Sequence, residues 1–278
     1  MAAFEDGLRE LGYEPGKDVV IDLRSVEGKL EEYPRLVQDI VRAKPDVVLT
    51  GVNANTTAVM AATQTIPIVM TLGSDVIRAG YARTLARPGR NVTGLTSDVG
   101  VEVVTKRLEL FREAVPRIGR LAIVSEPPQR PEYRDALDHA ASAWRIQTLW
   151  VEYSGDPERD YSQIVGWRAD AMLLLSQARM YGQRFEIASL GLQHRLPSAY
   201  GASEFADAGG LIAYGANLSA LYRAAATYVD RIFKGAKPGE LPIEQPSRID
   251  LVINLRTARA LDLQLPPSIL LRADRVIT

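Results

Sequence analysis

The side chains able to do chemistry in this 278-residue chain sit just after short apolar runs. Asn53, Asn55 and Thr56 follow DVVLT, Ser74 and Asp75 follow IPIVMTLG, and Ser125 with Glu126 follows LAIV. Gln177 and Arg179 follow AMLLL, while Tyr200 and Glu204 lie at and just beyond the end of PSAY. Taken singly, an Asn, Asp or Ser after a strand caps a helix or closes a turn. Taken together they offer donors, acceptors and carboxylates where open α/β sheets place their ligands, beyond the carboxyl ends of strands. Asn55 or Thr56 is the expected helix cap of the first cluster, and the free amides there favour an anionic group.

The same inventory argues against turnover. There is no G-x-S-x-G, no G-x-x-x-x-G-K-[ST] and no G-x-G-x-x-G after a strand. Cys is absent, which removes thiol nucleophiles, thiolate-held zinc and disulfides. His139 and His194, the two histidines, fall on separate helical stretches, and Glu31-Glu32 reads as solvated charge. The reading is therefore a binding protein, with no catalytic residue, cofactor or metal. A formal charge of −1 and the lack of a long basic cluster give no pull towards nucleic acid. No apolar run approaches the ~18 residues that a membrane span requires.

The elements that must position these residues alternate regularly. Strands are expected at 19–23 (VVIDL), 46–50, 66–70 and 92–95, with helices at 4–11, 33–43 and 56–63 between or before them. A second series then begins: helix 102–115, strand 121–124, helix 131–143, strand 147–151, helix 158–166, strand 171–175 and helix 181–194. The stretch 200–215, YGASEFADAGGLIAYG, reads as a strand end, a helical turn over 204–208 capped by Ser203, a Gly-Gly turn and a further strand. Helix 218–233, strand 249–253 and helix 255–261 follow. Short βα connections predict an α/β fold of two similar doubly wound parallel-sheet lobes, joined by a strand hinge with multiple crossovers and holding a ligand cleft. The expected lobes are 1–95 with about 216–245, and 96–215 with about 246–278.

Several blocks carry a family resemblance: FEDGLRELGYEPGKDVVID near the start, GSDVIRAGYARTLARPGRNVTGLT at 73–96, KRLELFREAVP at 106–116, EFADAGGLIAYG at 204–215, and RIFKGAKPGELPIEQPSRIDLVINLRTARALDLQLPP with LLRADRVI near the end. In combination they resemble the substrate-binding proteins of ABC importers, in the family that includes tryptophan- and tyrosine-binding members. The resemblance implies a periplasmic-binding-protein fold with three crossovers, capture of a small solute by hinge closure, and delivery to a membrane permease outside the cytoplasm. It implies an aromatic amino acid or aromatic acid as ligand. Tyr200 would stack on the ring, Asp75 or Glu204 would meet an ammonium, and the group 53–56 would hold a carboxylate, with Arg130 and Arg179 as alternative clamps. Relatives carry a signal peptide and a central first strand ahead of the opening helix of this chain. The expectation is a gap between the neighbours of that strand, with unpaired backbone groups. The chain also has Asp75-Val76 where the family often has Asp-Pro, and Ser125-Glu126-Pro127 where Asn-Pro is common. A ligand-sensing effector or receptor domain of the same fold, or an enzyme without a recognisable motif, are the alternative readings.

Overall fold

In the computed structural model the chain divides into two units, Met1–Asp98 with Leu218–Ser247 and Val99–Asn217 with Arg248–Thr278. The chain thus passes from one unit to the other three times. The structure describes residues 1–25, 32–127, 130–175 and 178–278, and the side chains of Ala178 and Arg179 lie outside that description.

The first unit opens with α1 (Ala2–Glu10), α2 (Tyr33–Arg42), β1 (Val48–Thr50), α3 (Asn53–Ala62), β2 (Ile68–Gly73) and β3 (Val92–Thr96). Its three strands pair in the order β1-β2-β3, both pairs parallel, with Val48 opposite Ile68 and Ile68 opposite Val92. Ile68, Val69, Met70 and Val92 are fully buried, as expected of strands covered on both faces, whose sequence is a continuous apolar run. Gly94 is needed here: its φ is +120°, and a Cβ would stand 2.1 Å from the Met70 carbonyl. The register between β2 and β3 shifts just beyond Met70.

Residues 19–23, expected as a strand, do not join this sheet. Val19 makes an isolated bridge to Pro15, and Val20 and Leu23 are 86% and 70% exposed. The strand pattern is present, but no described strand lies alongside to accept its ladder, and β-propensity alone holds no strand together.

The second unit contains α4 (Val101–Ala114), β4 (Arg120–Ser125), α5 (Pro131–Ala143), β5 (Gln147–Glu152), α6 (Pro157–Gly166), β6 (Ala171–Leu174), α7 (Ala178–Gly182) and α8 (Arg184–Gln193). β7 (Ser198–Tyr200), α9 (Ser203–Asp207) and β8 (Ile212–Ala216) follow. α10 (Leu218–Phe233) returns to the first unit, where it packs on β2 and β3 and carries α1 on its outer side. Gly7 makes that helix pair close, since a Cβ there would lie 2.5 Å from the Arg223 carbonyl. β9 (Ile249–Asn254), α11 (Leu255–Ala260), α12 (Pro267–Arg272) and β10 (Arg275–Ile277) complete the second unit.

Its seven strands run β10-β9-β8-β7-β6-β4-β5, parallel except for the antiparallel pair β8–β9. Leu108 and Phe111 of α4, Leu121 and Ile123 of β4 and Leu137 of α5 are wholly enclosed in one core. Each such side chain contributes about 1.5–3 kcal/mol by its burial. Helix starts are capped where the sequence supplies a short polar group: Asp156 accepts from the Arg159 amide, and Asn254 accepts from the amides of Arg256 and Thr257. Ser203, expected to cap α9, lies inside it instead, and its hydroxyl meets the Glu204 carboxylate at 3.3 Å. The single helix expected over 181–194 is two, α7 and α8, separated at Gln183.

Candidate functional site

Each unit ends its sheet in a polar rim formed by the loops after its strands. In the first unit α3 begins at Asn53, three residues earlier than the sequence suggested, with Val52 as its N-cap. The amides of Asn55 and Thr56 are consequently spent on the Val52 carbonyl. Thr56 is fully buried, and its hydroxyl pairs with that of Thr50 at 2.8 Å. The expectation that Asn55 or Thr56 caps the helix and leaves amides there for an anion is thus corrected: the helix starts upstream and consumes them. The Asn55 side chain instead lies near the Tyr33 hydroxyl.

Asn53, Ser74 and Asp75 do come together. The Asn53 amide bridges to the main chain of Ser74, donating to its carbonyl at 2.7 Å and accepting from its N–H at 2.9 Å. Asp98 holds the same loop from beneath, accepting from the Ser74 hydroxyl at 2.9 Å and the Asp75 amide at 2.6 Å. Tyr81 donates to the Asn53 carbonyl at 2.8 Å and meets the Thr57 hydroxyl at 2.6 Å. Asp75 adopts a left-handed conformation, φ 48°, and its carboxylate pairs with Arg78 at 2.5 Å. The rim is thus tied to itself before any solute arrives.

The second rim is less self-sufficient. Ser125 closes β4, and its buried hydroxyl has no hydrogen-bond partner among the described residues. Glu126 beside it is 9% exposed and accepts from the Met180 amide at 3.0 Å. Gln177 lies outside the described residues, as does the side chain of Arg179. Arg130 donates to the Tyr133 hydroxyl at 3.0 Å, and Tyr133 in turn donates to the Val99 carbonyl at 2.6 Å.

Tyr200 requires correction as an accessible stacking platform. Its ring is 0% exposed and stacked on Phe205 with centroids 4.8 Å apart, because β7 is buried throughout. The hydroxyls of Ser198 and Tyr161 approach its own, but none reaches hydrogen-bonding geometry, and burial pushes the phenol up to about 12. The half-buried ring near this place is Tyr181, edge-on to Phe205 and covered on one face by the Arg184 guanidinium. Glu204 is half-buried, and desolvation raises its carboxyl above the ordinary 4.5, with Arg184 as the opposing cation.

Three residues of these rims escaped sequence reasoning. Two are Asp98 and Tyr81, whose role depends on loops folding back over more than 20 residues. Arg107 is the other. It interrupts the buried stripe Val104, Leu108 and Phe111 of α4 and is itself 4% exposed. A cation at a core-facing helical position was the available signal. A shallow depression lined by Arg120, Arg145, Arg168 and Asp170 lies at the opposite, amino end of β4 and β6. Asp170 is engaged there by the amides of Gly119 and Arg120.

Parallel-stranded α/β units that exchange the chain three times, with polar rims at their strand ends, have the architecture of the type I periplasmic binding proteins. Residues 1–277 match the model of the family described as ABC transporter substrate binding protein, and the chain belongs to that family. It is similar to the tyrosine-binding protein of Clostridioides difficile (strain R20291), at 22% identity over 265 residues, covering 94% of this chain and 76% of that protein. A conserved domain protein from Vibrio cholerae matches with a TM-score of 0.87 and 26% identity over 99% of this chain and 93% of its own. An ABC domain from Streptococcus pneumoniae in complex with L-Trp matches with a TM-score of 0.86 and 22% identity, over the same shares. The protein is accordingly a substrate-binding protein of the ABC transporter family. No described helix is long and apolar enough to cross a membrane.

Proposed function

We propose that this protein captures an aromatic amino acid, tyrosine or tryptophan, outside the cytoplasm and hands it unchanged to the membrane permease of an ABC importer. The observation that carries the reading is the family match over residues 1–277, joined by two relatives whose names record tyrosine and L-Trp. The rims add chemical support. Asn53, Ser74 and Asp75 form a polar loop of fixed geometry. Glu204 supplies an acid for the ammonium, and Tyr181 takes over the ring-contact role first assigned to Tyr200. An offset or edge-on ring pair adds about 0.5–1.5 kcal/mol beyond burial. Ser125 and Gln177 remain proposed contacts of the same solute; Asn55 and Thr56 support the loop rather than touching it.

The test is native mass spectrometry of the purified full chain, followed by denaturation and identification of what is released, with calorimetric titration of L-tyrosine and L-tryptophan. Micromolar binding, about −8 kcal/mol, with the amino acid recovered intact is the expected result. Binding of a polar aliphatic solute with neither aromatic acid overturns the aromatic assignment, and chemical conversion of the bound solute overturns simple capture.

A further inference from the structure

Arg107 is a buried cation without an anion among the described residues. Its Nε donates to the Tyr214 carbonyl at 2.7 Å, which uses one of the five N–H donors of a guanidinium. The ionisable groups that bear on it are the phenols of Tyr133 and Tyr214, and no carboxylate among the described residues pairs with it. Burial lowers its pKa to about 10, so the charge persists at neutral pH.

Its location is specific. Gly201 follows β7 and packs against Gly215 of β8, next to Tyr214, so Arg107 reaches the carboxyl end of β7. A Cβ on Gly201 would stand 2.9 Å from one terminal nitrogen of Arg107, 3.2 Å from Cζ and 3.3 Å from the other nitrogen. These near-equal distances set the guanidinium face-on to Gly201, a position that only glycine leaves open. Buried charges in folded proteins are paired, because an unpaired one forfeits its hydration. The planar fork matches a carboxylate through two parallel hydrogen bonds. The one bond to Tyr214 explains why the side chain points to this end of the sheet, but not why a charge with unspent donors stands there.

We propose that Arg107 anchors the carboxylate of the captured solute, forming a guanidinium–carboxylate pair at the carboxyl ends of β7 and β8. The proposal rests on the amino-acid reading above only in that the reading supplies the carboxylate.

The test is calorimetric titration of the full chain with L-tyrosine, L-tryptophan and their decarboxylated amines, tyramine and tryptamine, for wild type, Arg107→Gln and Arg107→Lys. Glutamine keeps a donor for the Tyr214 carbonyl, and lysine keeps the charge without the fork. Wild type is expected to bind the acids and not the amines. Arg107→Gln should lose about 30-fold or more in acid affinity, the effect of removing one partner of a buried charge pair. Arg107→Lys should fall between the two, and the unliganded melting temperature of Arg107→Gln should stay within about 2 °C of wild type. Acid affinity in Arg107→Gln within about threefold of wild type, or wild type binding acids and amines alike, overturns the anchor and leaves the aromatic reading standing. So does a lowered melting temperature with unchanged affinity, which assigns Arg107 to the support of β8. Wild type that takes neither aromatic acid, but binds an aliphatic carboxylate in an Arg107-dependent way, overturns the aromatic reading and supports the anchor. Wild type that binds no carboxylate overturns both.

Discussion

Replacing Asp98 by alanine removes the carboxylate that fastens the loop after β2. The bonds lost include those from the Ser74 hydroxyl at 2.9 Å and the Asp75 amide at 2.6 Å. Hydrogen bonds to a charged acceptor contribute about 1.5–3 kcal/mol each. The site is half-buried, which places the pair at the low end, so about 2–3 kcal/mol is expected for both together. The backbone of Asp75 is left-handed, a conformation that costs on the order of 1 kcal/mol in a residue other than glycine and that relaxes once the amide is released. Part of the loss is thereby recovered, and a net destabilisation of about 2 kcal/mol remains. The assay is urea unfolding followed by two probes. All three tryptophans, Trp144, Trp150 and Trp167, belong to the second unit, whereas far-ultraviolet circular dichroism follows both units. With a urea m-value of about 2 kcal/mol/M, the circular-dichroism component from the first unit should move down by roughly 1 M while the tryptophan transition stays in place. Asp98→Asn, which keeps an acceptor without its charge, should move it about half as far. A circular-dichroism transition of Asp98→Ala superimposable on that of wild type refutes the reasoning, because the loop would then be held without Asp98.

Three further outcomes follow from particular contacts. Gly201→Ala puts a methyl group 2.9 Å from the Arg107 guanidinium; solute affinity should fall about tenfold, and a titration indistinguishable from wild type counts against the placement of Arg107. Tyr200→Phe removes a buried hydroxyl without a hydrogen-bond partner among the described residues, so stability measured by tryptophan fluorescence in urea should stay level or rise by up to about 1 kcal/mol, and a clear fall shows that the hydroxyl is bonded in solution. Glu204 has its carboxyl raised by burial, so its protonated form is the one favoured by folding. The contribution of Glu204 is fully present below the ordinary 4.5 and is lost as pH rises through the higher folded value. The stability of Glu204→Gln relative to wild type should therefore increase as pH is raised past 4.5 and then level off; melting temperatures across that range check it, and a pH-independent difference is the contrary result.

What could be read from the chain depended on how local the determinants were. β2 and β3 are recognisable because IPIVM and VTGL are apolar runs between turn residues, and parallel buried strands impose that pattern. The helix over 131–143 matches α5 at both ends, since Pro131 starts it in the sequence as it does in the fold. The 19–23 run shows where local reasoning ends: VVIDL has strand composition, yet Val20 and Leu23 face solvent, because a strand exists only with a neighbour. The rims divide in the same way. Asn53, Ser74 and Asp75 could be singled out because they lie in the short loops that follow β1 and β2. Asp98 and Tyr81 were missed because their partners are set by the fold-back of the loop, and Tyr200 was misassigned because β7, three residues long, is buried on both faces. At Arg107 the sequence did carry a signal, a cation on an apolar helical face, but long basic side chains also lie along such faces with their heads in water. Only the burial of the head separates the two cases.

The two rims differ in how they spend their polar groups, and the difference bears on selectivity. In the first unit Asn53, Thr57, Ser74, Tyr81 and Asp98 satisfy one another, so that rim is a preorganised surface whose own bonds survive without solute. A preorganised surface lowers the ordering cost of binding but discriminates weakly, since nothing in it is left unpaired when the wrong solute arrives. In the second unit three buried polar groups are incomplete among the described residues: the Ser125 hydroxyl, the Tyr200 hydroxyl and the Arg107 guanidinium. An unsatisfied buried polar group costs about 1–3 kcal/mol, and folds retain such groups where something else completes them. Tyr200 cannot be completed from the rim, because its ring is enclosed and stacked on Phe205. Ser125 and Arg107, at the carboxyl ends of β4 and β7, can. A solute that lacks the matching group leaves them unpaired. On the anchor proposed for Arg107, discrimination falls to the second unit, with Arg107 its larger part because the unpaired group is a charge.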